Sequence, residues 1–276
     1  MPWHASLDLS YQRADGRTTL QHRHSGPLRI LKSLYPEGDA VCHNVIVHPP
    51  GGLVGGDALD ISVRVDGGAH GLLSTPGATR FYRSDGAEAA QRVQLELAAD
   101  ARLEWLPLET IAYPDCVARN ELTMAIEPGA ECLGWDVCAL GLPAAGEPFT
   151  RGVLHQQVQW PGVWLERARI DANDARLLDG PVGLAGQRAL GTLWLASGTA
   201  REPAAREALL DAAREVLADA DPTVWAGATS PDARLIVLRA LAPQVEPLMA
   251  VFQRAWARLR ALAWGLNTPA PRIWRV

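Results

Sequence analysis

One short segment of the chain combines an imidazole, a carboxylate and a sharply turned backbone. It runs from His48 to Asp57 and reads His-Pro-Pro-Gly-Gly-Leu-Val-Gly-Gly-Asp. Glycine permits positive φ and close backbone approach, whereas proline fixes φ and removes a donor. Four glycines within six residues cost more chain entropy than a single turn requires, which favours a loop shaped for a function. A tight β-turn with an incidental histidine and aspartate is the alternative interpretation.

This segment does not fit the motifs that bind nucleotides. It lacks the Lys-Ser/Thr that ends a Walker loop, and the strand-like run Leu59–Val65 follows where a dinucleotide fingerprint needs a helix. Lys32 is the only lysine of the chain, and no glycine loop precedes it. The sequence therefore argues against P-loop NTPases and against enzymes that form a Schiff base.

Other reactive groups are scattered rather than clustered. His22 and His24 would share one face of a strand, but no cupin-like glutamate follows, so a solvated strand face is expected. The chain contains neither Gly-x-Ser-x-Gly nor His-Glu-x-x-His. Its cysteines lack Cys-x-x-Cys spacing and are predicted to be reduced and buried: Cys42, Cys116, Cys132 and Cys138.

Several acids lie in or beside strand-like runs, where a solvated strand face is the ordinary explanation. They are Glu109, Asp136, Glu147 and Glu166. Asp136 stands among Leu133, Trp135 and Val137, where a buried and unpaired carboxylate would be unfavourable. It is therefore expected to have a partner, a water-filled space or an ion beside it.

Composition is typical of a soluble globular protein. The 276 residues are 48% hydrophobic and 21% charged, and the net charge of −5 argues against a nucleic-acid partner. No apolar run reaches the ~18 residues of a membrane helix, and Met1 to Asp8 do not resemble a signal peptide. A cytoplasmic location is expected.

Short apolar/polar alternations, separated by turns such as Asp66-Gly67-Gly68, extend to about Gly198 and predict a mainly β fold. Spacing alone leaves a sandwich, a barrel and a β-helix open. The last quarter predicts a helix between Pro203 and Pro222, a strand at Leu235–Leu241 and a second helix from Val245 that Gly265 caps. One domain, residues 1–276, is predicted, with a β-rich body (1–200) and a helix-strand-helix part (201–276).

Five segments of the chain together resemble one known family. The most specific are His48–Asp57 and Ser74–Ser84, the second of which reads Ser-Thr-Pro-Gly-Ala-Thr-Arg-Phe-Tyr-Arg-Ser. Trp105–Ile111, Gly141–Gly152 and Pro271–Trp274 support them. With these segments the chain resembles the urease accessory protein UreD (UreH) family.

The resemblance implies a β-helix-like stack of short strands with two α-helices near the C-terminus. It also implies a scaffold or chaperone rather than an enzyme, acting with UreF and the GTPase UreG on urease apoprotein. The cargo would be a transient nickel ion, with no tightly bound cofactor.

A route for nickel must bind the ion well enough to admit it and weakly enough to release it. Scattered carboxylates meet this demand better than clustered cysteine or histidine, which would hold nickel tightly. We expect Asp57, Asp60, Asp136 and Glu166 to line the route, with His48 and Glu109 as secondary candidates.

Partner contact is expected at the last helix and tail, Arg254 to Val276, through Trp264 and Trp274, since tryptophan and arginine are enriched at interface hot spots. Trp256 fits the core stripe of its helix instead.

Two other functions remain open. A β-helical carbohydrate-active enzyme would need paired carboxylates in an open groove, and a stand-alone metal-binding protein would need clustered ligands.

Overall fold

The structure, a computed structural model, describes residues 2–267 and 270–275. Within these residues two large β-sheets face each other. Sheet one contains the strands β1 (His4–Ala14), β2 (Arg17–His24), β5 (Ala58–Val65), β8 (Ala89–Leu97), β11 (Cys116–Ile126), β14 (Gly152–Trp160) and β15 (Trp164–Asp171). Their order across the sheet is β15-β14-β11-β8-β5-β1-β2.

Sheet two has a main path of strands in the order β17-β18-β16-β12-β9-β6-β4-β3. These strands are β3 (Arg29–Ile30), β4 (Val41–Val47), β6 (His70–Ser74), β9 (Arg102–Leu106), β12 (Glu131–Leu142), β16 (Ala189–Ser197), β17 (Trp225–Asp232) and β18 (Leu235–Ala242). Three short strands lie off this path: β7 (Thr79–Phe81), β10 (Thr110–Ala112) and β13 (Glu147–Pro148).

The chain alternates between the two sheets as it winds, which makes a β-solenoid of about four turns. Strands β4, β6, β9 and β12 stack in parallel in sheet two, and β1, β5, β8, β11 and β14 do so in sheet one. Side chains alternate across each strand, so one set fills the interior and the other covers the outside. Along β11, for example, Ala118, Leu122 and Met124 are buried. The predicted β-helix-like stack is confirmed.

Both predicted C-terminal helices are present. They are α2 (Pro203–Ala218) and α3 (Val245–Trp264), and Gly265 caps α3 with a left-handed φ of 69°. A short helix, α1 (Ala175–Asp179), and strand β17 were not predicted from the sequence. Two 3-10 turns complete the described elements, Pro143–Ala145 and Arg272–Arg275. Helices α2 and α3 cover the outer face of sheet two and form a second apolar core with it.

A network of buried charges joins α3 to the solenoid. The guanidinium of Arg260 donates through Nη2 to both Glu37 carboxylate oxygens, at 2.8 and 2.7 Å, and through Nε to Glu104 at 3.0 Å. Trp256 Nε1 also donates to Glu104, at 2.6 Å. His43 pairs with Glu37, and His70 pairs with Glu104. We call these six residues the buried ion network.

The side chain of Arg260, in the last turns of α3, is fully buried, and Glu104 is equally inaccessible. Burial raises the pKa of Glu104, but the hydrogen bond and charge of His70 and the charge of Arg260 outweigh it and hold that pKa below its usual value. Glu104 therefore stays ionised inside the protein, and His70 and Arg260 together compensate its charge.

Replacing Arg260 by Met should lower the free energy of unfolding by about 3–5 kcal/mol, because it leaves Glu37 and Glu104 buried with too little positive charge. Arg258→Met is the matched control, since Arg258 lies on the same helix in an exposed pair with Glu215. The control should change stability by less than about 0.5 kcal/mol. Urea unfolding of both variants measures the difference, and equal losses would contradict the role given to the network.

The four cysteines are free and buried, as predicted. Burial raises the pKa of Cys116 and of Cys132 to about 12, and it raises the pKa of Cys138 well above its usual value. Because the thiolate is the reactive form, these three thiols are unreactive near neutral pH.

No helix among residues 2–267 and 270–275 has the length and apolar character needed to cross a membrane.

Candidate functional site

A cavity of about 410 Å³ opens between β15 of sheet one and β16 and β18 of sheet two. Its wall contains Asp136, Glu166, Thr192 and Arg239 among apolar side chains such as Leu190 and Leu241. We call it the acid cavity. Asp136, Thr192 and Arg239 are register partners on three neighbouring strands, so the sheet itself places them in one row.

Asp136 points away from its apolar neighbours in sequence. Trp135 and Val137 face outward against the helices, whereas Asp136 faces the space between the sheets. Gln156 Nε2 donates to its Oδ2 at 2.9 Å, and Asn120 Nδ2 lies 3.2 Å from Oδ1 and 3.4 Å from Oδ2. Of the three possibilities expected for this carboxylate, a partner, a water-filled space or an ion, the structure shows hydrogen-bond partners.

Glu166 closes the other side of the acid cavity. Its Oε1 accepts a hydrogen bond from Thr192 Oγ1 at 2.5 Å, and its Oε2 accepts two from Arg239, at 2.9 Å from Nε and 2.6 Å from Nη2. The two carboxylates thus share one cavity but differ in environment, since Arg239 neutralises Glu166 while Asp136 is held only by amides.

That difference appears in the acidity of Asp136. Burial, and secondarily the charge of Glu166, raise its pKa from 3.8 to about 6, against the lowering effect of the Gln156 and Asn120 hydrogen bonds. Asp136 keeps some accessible surface because the cavity opens against it, although protein atoms surround it on the other sides. The carboxyl is therefore close to half-ionised near pH 6, and it accepts a cation more readily at higher pH.

A row of amide side chains continues from Asp136 along the interior of the solenoid. Gln91, Asn120 and Gln156 lie at matching register positions on β8, β11 and β14. Gln91 Nε2 donates to Asn120 Oδ1 at 3.1 Å, and Asn120 and Gln156 both donate to Asp136. We call these three residues the amide ladder. Parallel stacking produces such a ladder whenever successive strands carry an amide in the same position.

The far end of the amide ladder reaches a second cavity, of about 210 Å³, where Gln91 forms part of the wall. Both glycine-rich segments line it, the first through His48 and Gly51 and the second through Thr75–Arg80. We call it the glycine cavity. The amide ladder therefore connects two cavities through an interior that is otherwise mostly apolar.

Close packing explains one of these glycines. A Cβ on Gly52 would lie 2.3 Å from Tyr82 Cε2 and 2.9 Å from the Arg80 carbonyl oxygen, so a larger residue would push the two segments apart. Leu53 bridges to the second segment by accepting from Tyr82 N at 2.8 Å and donating to Arg80 O at 2.7 Å. The segments that looked most specific in the sequence thus form one structure.

His48 forms part of the wall of the glycine cavity. Its Nε2 is buried and has no hydrogen-bond partner among the residues that the structure describes. Burial lowers the pKa of His48, although the charge of Asp57 partly opposes this. A neutral imidazole with an unused nitrogen is a suitable ligand for a transition-metal ion.

The remaining sequence candidates lie elsewhere. Asp57 is buried, and its two oxygens accept hydrogen bonds from the backbone N–H groups of Trp3 and Val54 at 3.1 and 3.0 Å. Asp60 lies on the exposed side of β5, beside His4 and Arg92. Glu109 borders a third cavity, near the start of α3. The structure thus brings Asp136 and Glu166 together, and it places Asp57, Asp60 and Glu109 apart from them.

The two candidate contact tryptophans pack against the chain itself. Trp264 Nε1 donates to Glu131 at 2.6 Å, and the ring lies edge-on to His70. Trp274 Nε1 donates to Ser74 Oγ at 2.9 Å, and its ring packs on Trp135. Both indoles remain partly exposed. Thr268, Pro269 and Val276, which belong to the expected contact segment, lie outside the described residues.

Sequence reasoning did not identify the amide ladder, Thr192 or Arg239. For the ladder, however, the sequence contains a recognisable pattern. Each amide stands in phase with inward-pointing apolar residues, as Asn120 does between Ala118 and Leu122 and Gln156 between Leu154 and Val158. Within the described range, no three His, Cys, Asp or Glu side chains gather closely enough to hold a metal ion.

The fold and this interior define a β-solenoid protein with two separate cavities, one of which contains two carboxylates, at the two ends of a row of amide side chains. The chain belongs to the family described as UreD urease accessory protein, whose model matches residues 4–275. It is 57% identical over 274 residues to the urease accessory protein UreD of Paracidovorax citrulli (strain AAC00-1), with 99% of both chains covered. The UreD of Variovorax paradoxus (strain S110) is 56% identical with the same coverage. The chain is therefore an accessory protein with a role in urease maturation.

The raised pKa of Asp136 makes a prediction about stability. Because its folded-state pKa lies above the unfolded value of 3.8, this carboxyl stabilises the fold most below pH 4, and that contribution is lost as pH rises to about 6. Asp136→Asn has no carboxyl group to ionise, so it should not lose stability in this way as pH rises. Above pH 6 the variant should therefore be more stable than the parent chain by about 1–2 kcal/mol, after discounting for water in the cavity.

Urea unfolding between pH 4 and 8 measures this difference. Asp8→Asn, at an exposed position of β1, is the control and should follow the parent curve. Parallel curves for Asp136→Asn and the parent chain would contradict the assignment.

Proposed function

We propose that this chain acts with UreF and the GTPase UreG and conducts nickel ions through its interior to urease apoprotein. In this proposal the chain is a scaffold and conduit in the cytoplasm, and the chemistry of GTP hydrolysis belongs to UreG. Membership of the UreD family supports the part in urease maturation. The observation that carries the conduit is the buried Asp136, which the amide ladder links to both cavities.

The ligand set supports transfer rather than storage. A nickel ion in the acid cavity would meet the oxygens of Asp136 and Glu166, and one in the glycine cavity would lie beside His48, which forms part of its wall. Sites with few ligands bind a divalent ion weakly enough to release it, whereas clustered thiolates would retain it. The amides between the two cavities offer polar contacts without adding charge.

The other candidates have lesser parts in the proposal. Asp57 accepts from the backbone of Val54 and of Trp3, whose ring packs against His48. Asp60 and Glu109 lie towards the surface, where they would meet ions outside the interior route. Trp264 and Trp274 present their exposed edges to UreF.

A chain that ends at Gly265 tests this contact. If the tail contributes to the interface, the shortened chain should no longer co-purify with UreF.

Asp136→Asn and Glu166→Gln should each lower urease activation by roughly tenfold or more, as removal of a group close to a metal commonly does. The variants would be expressed in a strain that lacks this protein but contains UreF, UreG and urease. Urease activity and nickel content per urease would be measured together.

Glu121→Gln is the matched control, since Glu121 pairs with Arg119 on the outer face of the same sheet. All variants should still co-purify with UreF and UreG, which separates a loss of conduction from a loss of assembly. Activation at the parent rate by both Asp136→Asn and Glu166→Gln would refute the conduit.

A further inference from the structure

We propose that Arg239 closes the mouth of the acid cavity by holding Glu166, and that a divalent cation must displace it before the cation reaches Asp136. This inference rests on the proposed function and concerns the control of the same route. It assigns a gating role to a residue outside the carboxylates and histidine considered above.

The closed arrangement is the one that the structure contains. Two N–H groups of Arg239 are directed at one oxygen of Glu166, while Thr192 Oγ1 occupies the other. Each oxygen of Glu166 thus has at least one donor, and three of the roughly four lone-pair sites of the carboxylate are occupied. A second arginine, Arg167, also lines the acid cavity and adds positive charge next to Glu166 in the chain.

The ion pair is placed where it can break. The Arg239 side chain is 51% exposed and that of Glu166 is 31% exposed. Partly exposed pairs of this kind are weak because water solvates both partners once they separate. The buried pair of Arg260 with Glu104, both almost inaccessible, is the contrasting case within the same protein.

An alternative position for the guanidinium lies on the neighbouring strand. Gly227 of β17 is the register partner of Arg239, and a Cβ built on Gly227 meets no atom within 4 Å. Trp225, two residues before Gly227 and on the same face, is 54% exposed. Arg239 can therefore turn into the gap at Gly227 and place its charge against the indole of Trp225, a favourable cation–π contact.

Opening is then an exchange of one cation for another. A divalent ion takes the Glu166 oxygen that Arg239 leaves, and its double charge also attracts the ionised Asp136 across the cavity. A monovalent ion gains much less from the same exchange, so the gate favours divalent ions.

Nickel binding to the full chain tests the gate by isothermal titration at pH 7.5. Arg239→Gln should bind Ni²⁺ more tightly by roughly fivefold, the effect of removing one partly exposed ion pair. Arg169→Gln is the control with the same change in charge, because Arg169 lies on β15 in an outer-face pair with Asp171. It should bind nickel as the parent chain does.

Two further variants make the result specific. In a Glu166→Gln background, Arg239→Gln should give no gain, because the two residues act on one interaction. Gly227→Val fills the gap that the open position needs, so it should weaken nickel binding. An unchanged affinity in Gly227→Val would refute that open position.

The experiment also separates the gate from the route. If Asp136→Asn weakens nickel binding while Arg239→Gln matches the parent chain, the gate is refuted and the route stands. If Asp136→Asn binds nickel as the parent chain does, the proposed function fails. A gain in Arg169→Gln equal to that in Arg239→Gln would show only an effect of net charge and would overturn the gate.

Discussion

In a parallel stack of strands, an inward-pointing polar side chain has its nearest neighbours at the same register position of the strands above and below. The interior of this protein depends on that constraint. Because β8, β11 and β14 are in register, Gln91 donates to Asn120, while Asn120 and Gln156 provide the donors that Asp136 needs. A buried carboxylate without such donors would be strongly destabilising. The stacking thus makes an acidic interior compatible with a stable core.

Charged residues attach helix α3 to the solenoid in a different way. Helix α3 is attached by an apolar stripe and by Arg260, which must reach Glu37 and Glu104 to neutralise them. This attachment leaves little freedom, because a small shift of the helix would leave ions buried without partners. The mouth of the acid cavity has the opposite character, since Arg239 and Glu166 meet where water reaches both. Buried charges therefore fix α3 in place, whereas an exposed ion pair lies at the mouth of the acid cavity.

Much of the architecture was accessible from the sequence. Apolar/polar alternation predicted a mainly β fold, and Pro203 and Gly265 marked the start of one helix and the end of the other. Asp136 was identified because its neighbours are apolar. The β-helix could not be chosen over a sandwich or barrel by spacing, since all three contain short alternating strands. The pairing of Glu166 with Arg239 joins residues 73 apart in the chain, and no local pattern encodes such a contact.

The spacing between the residues of the amide ladder is set by the backbone rather than by their side chains. Neighbouring strands in a sheet lie about 4.8 Å apart, so Gln91, Asn120 and Gln156 repeat at that interval whatever residues flank them. Point substitutions can alter the chemistry of each rung but leave the rungs equally spaced. Lengthening the polar row requires a whole extra coil, and the distance between the two cavities can therefore evolve only in discrete steps of one strand.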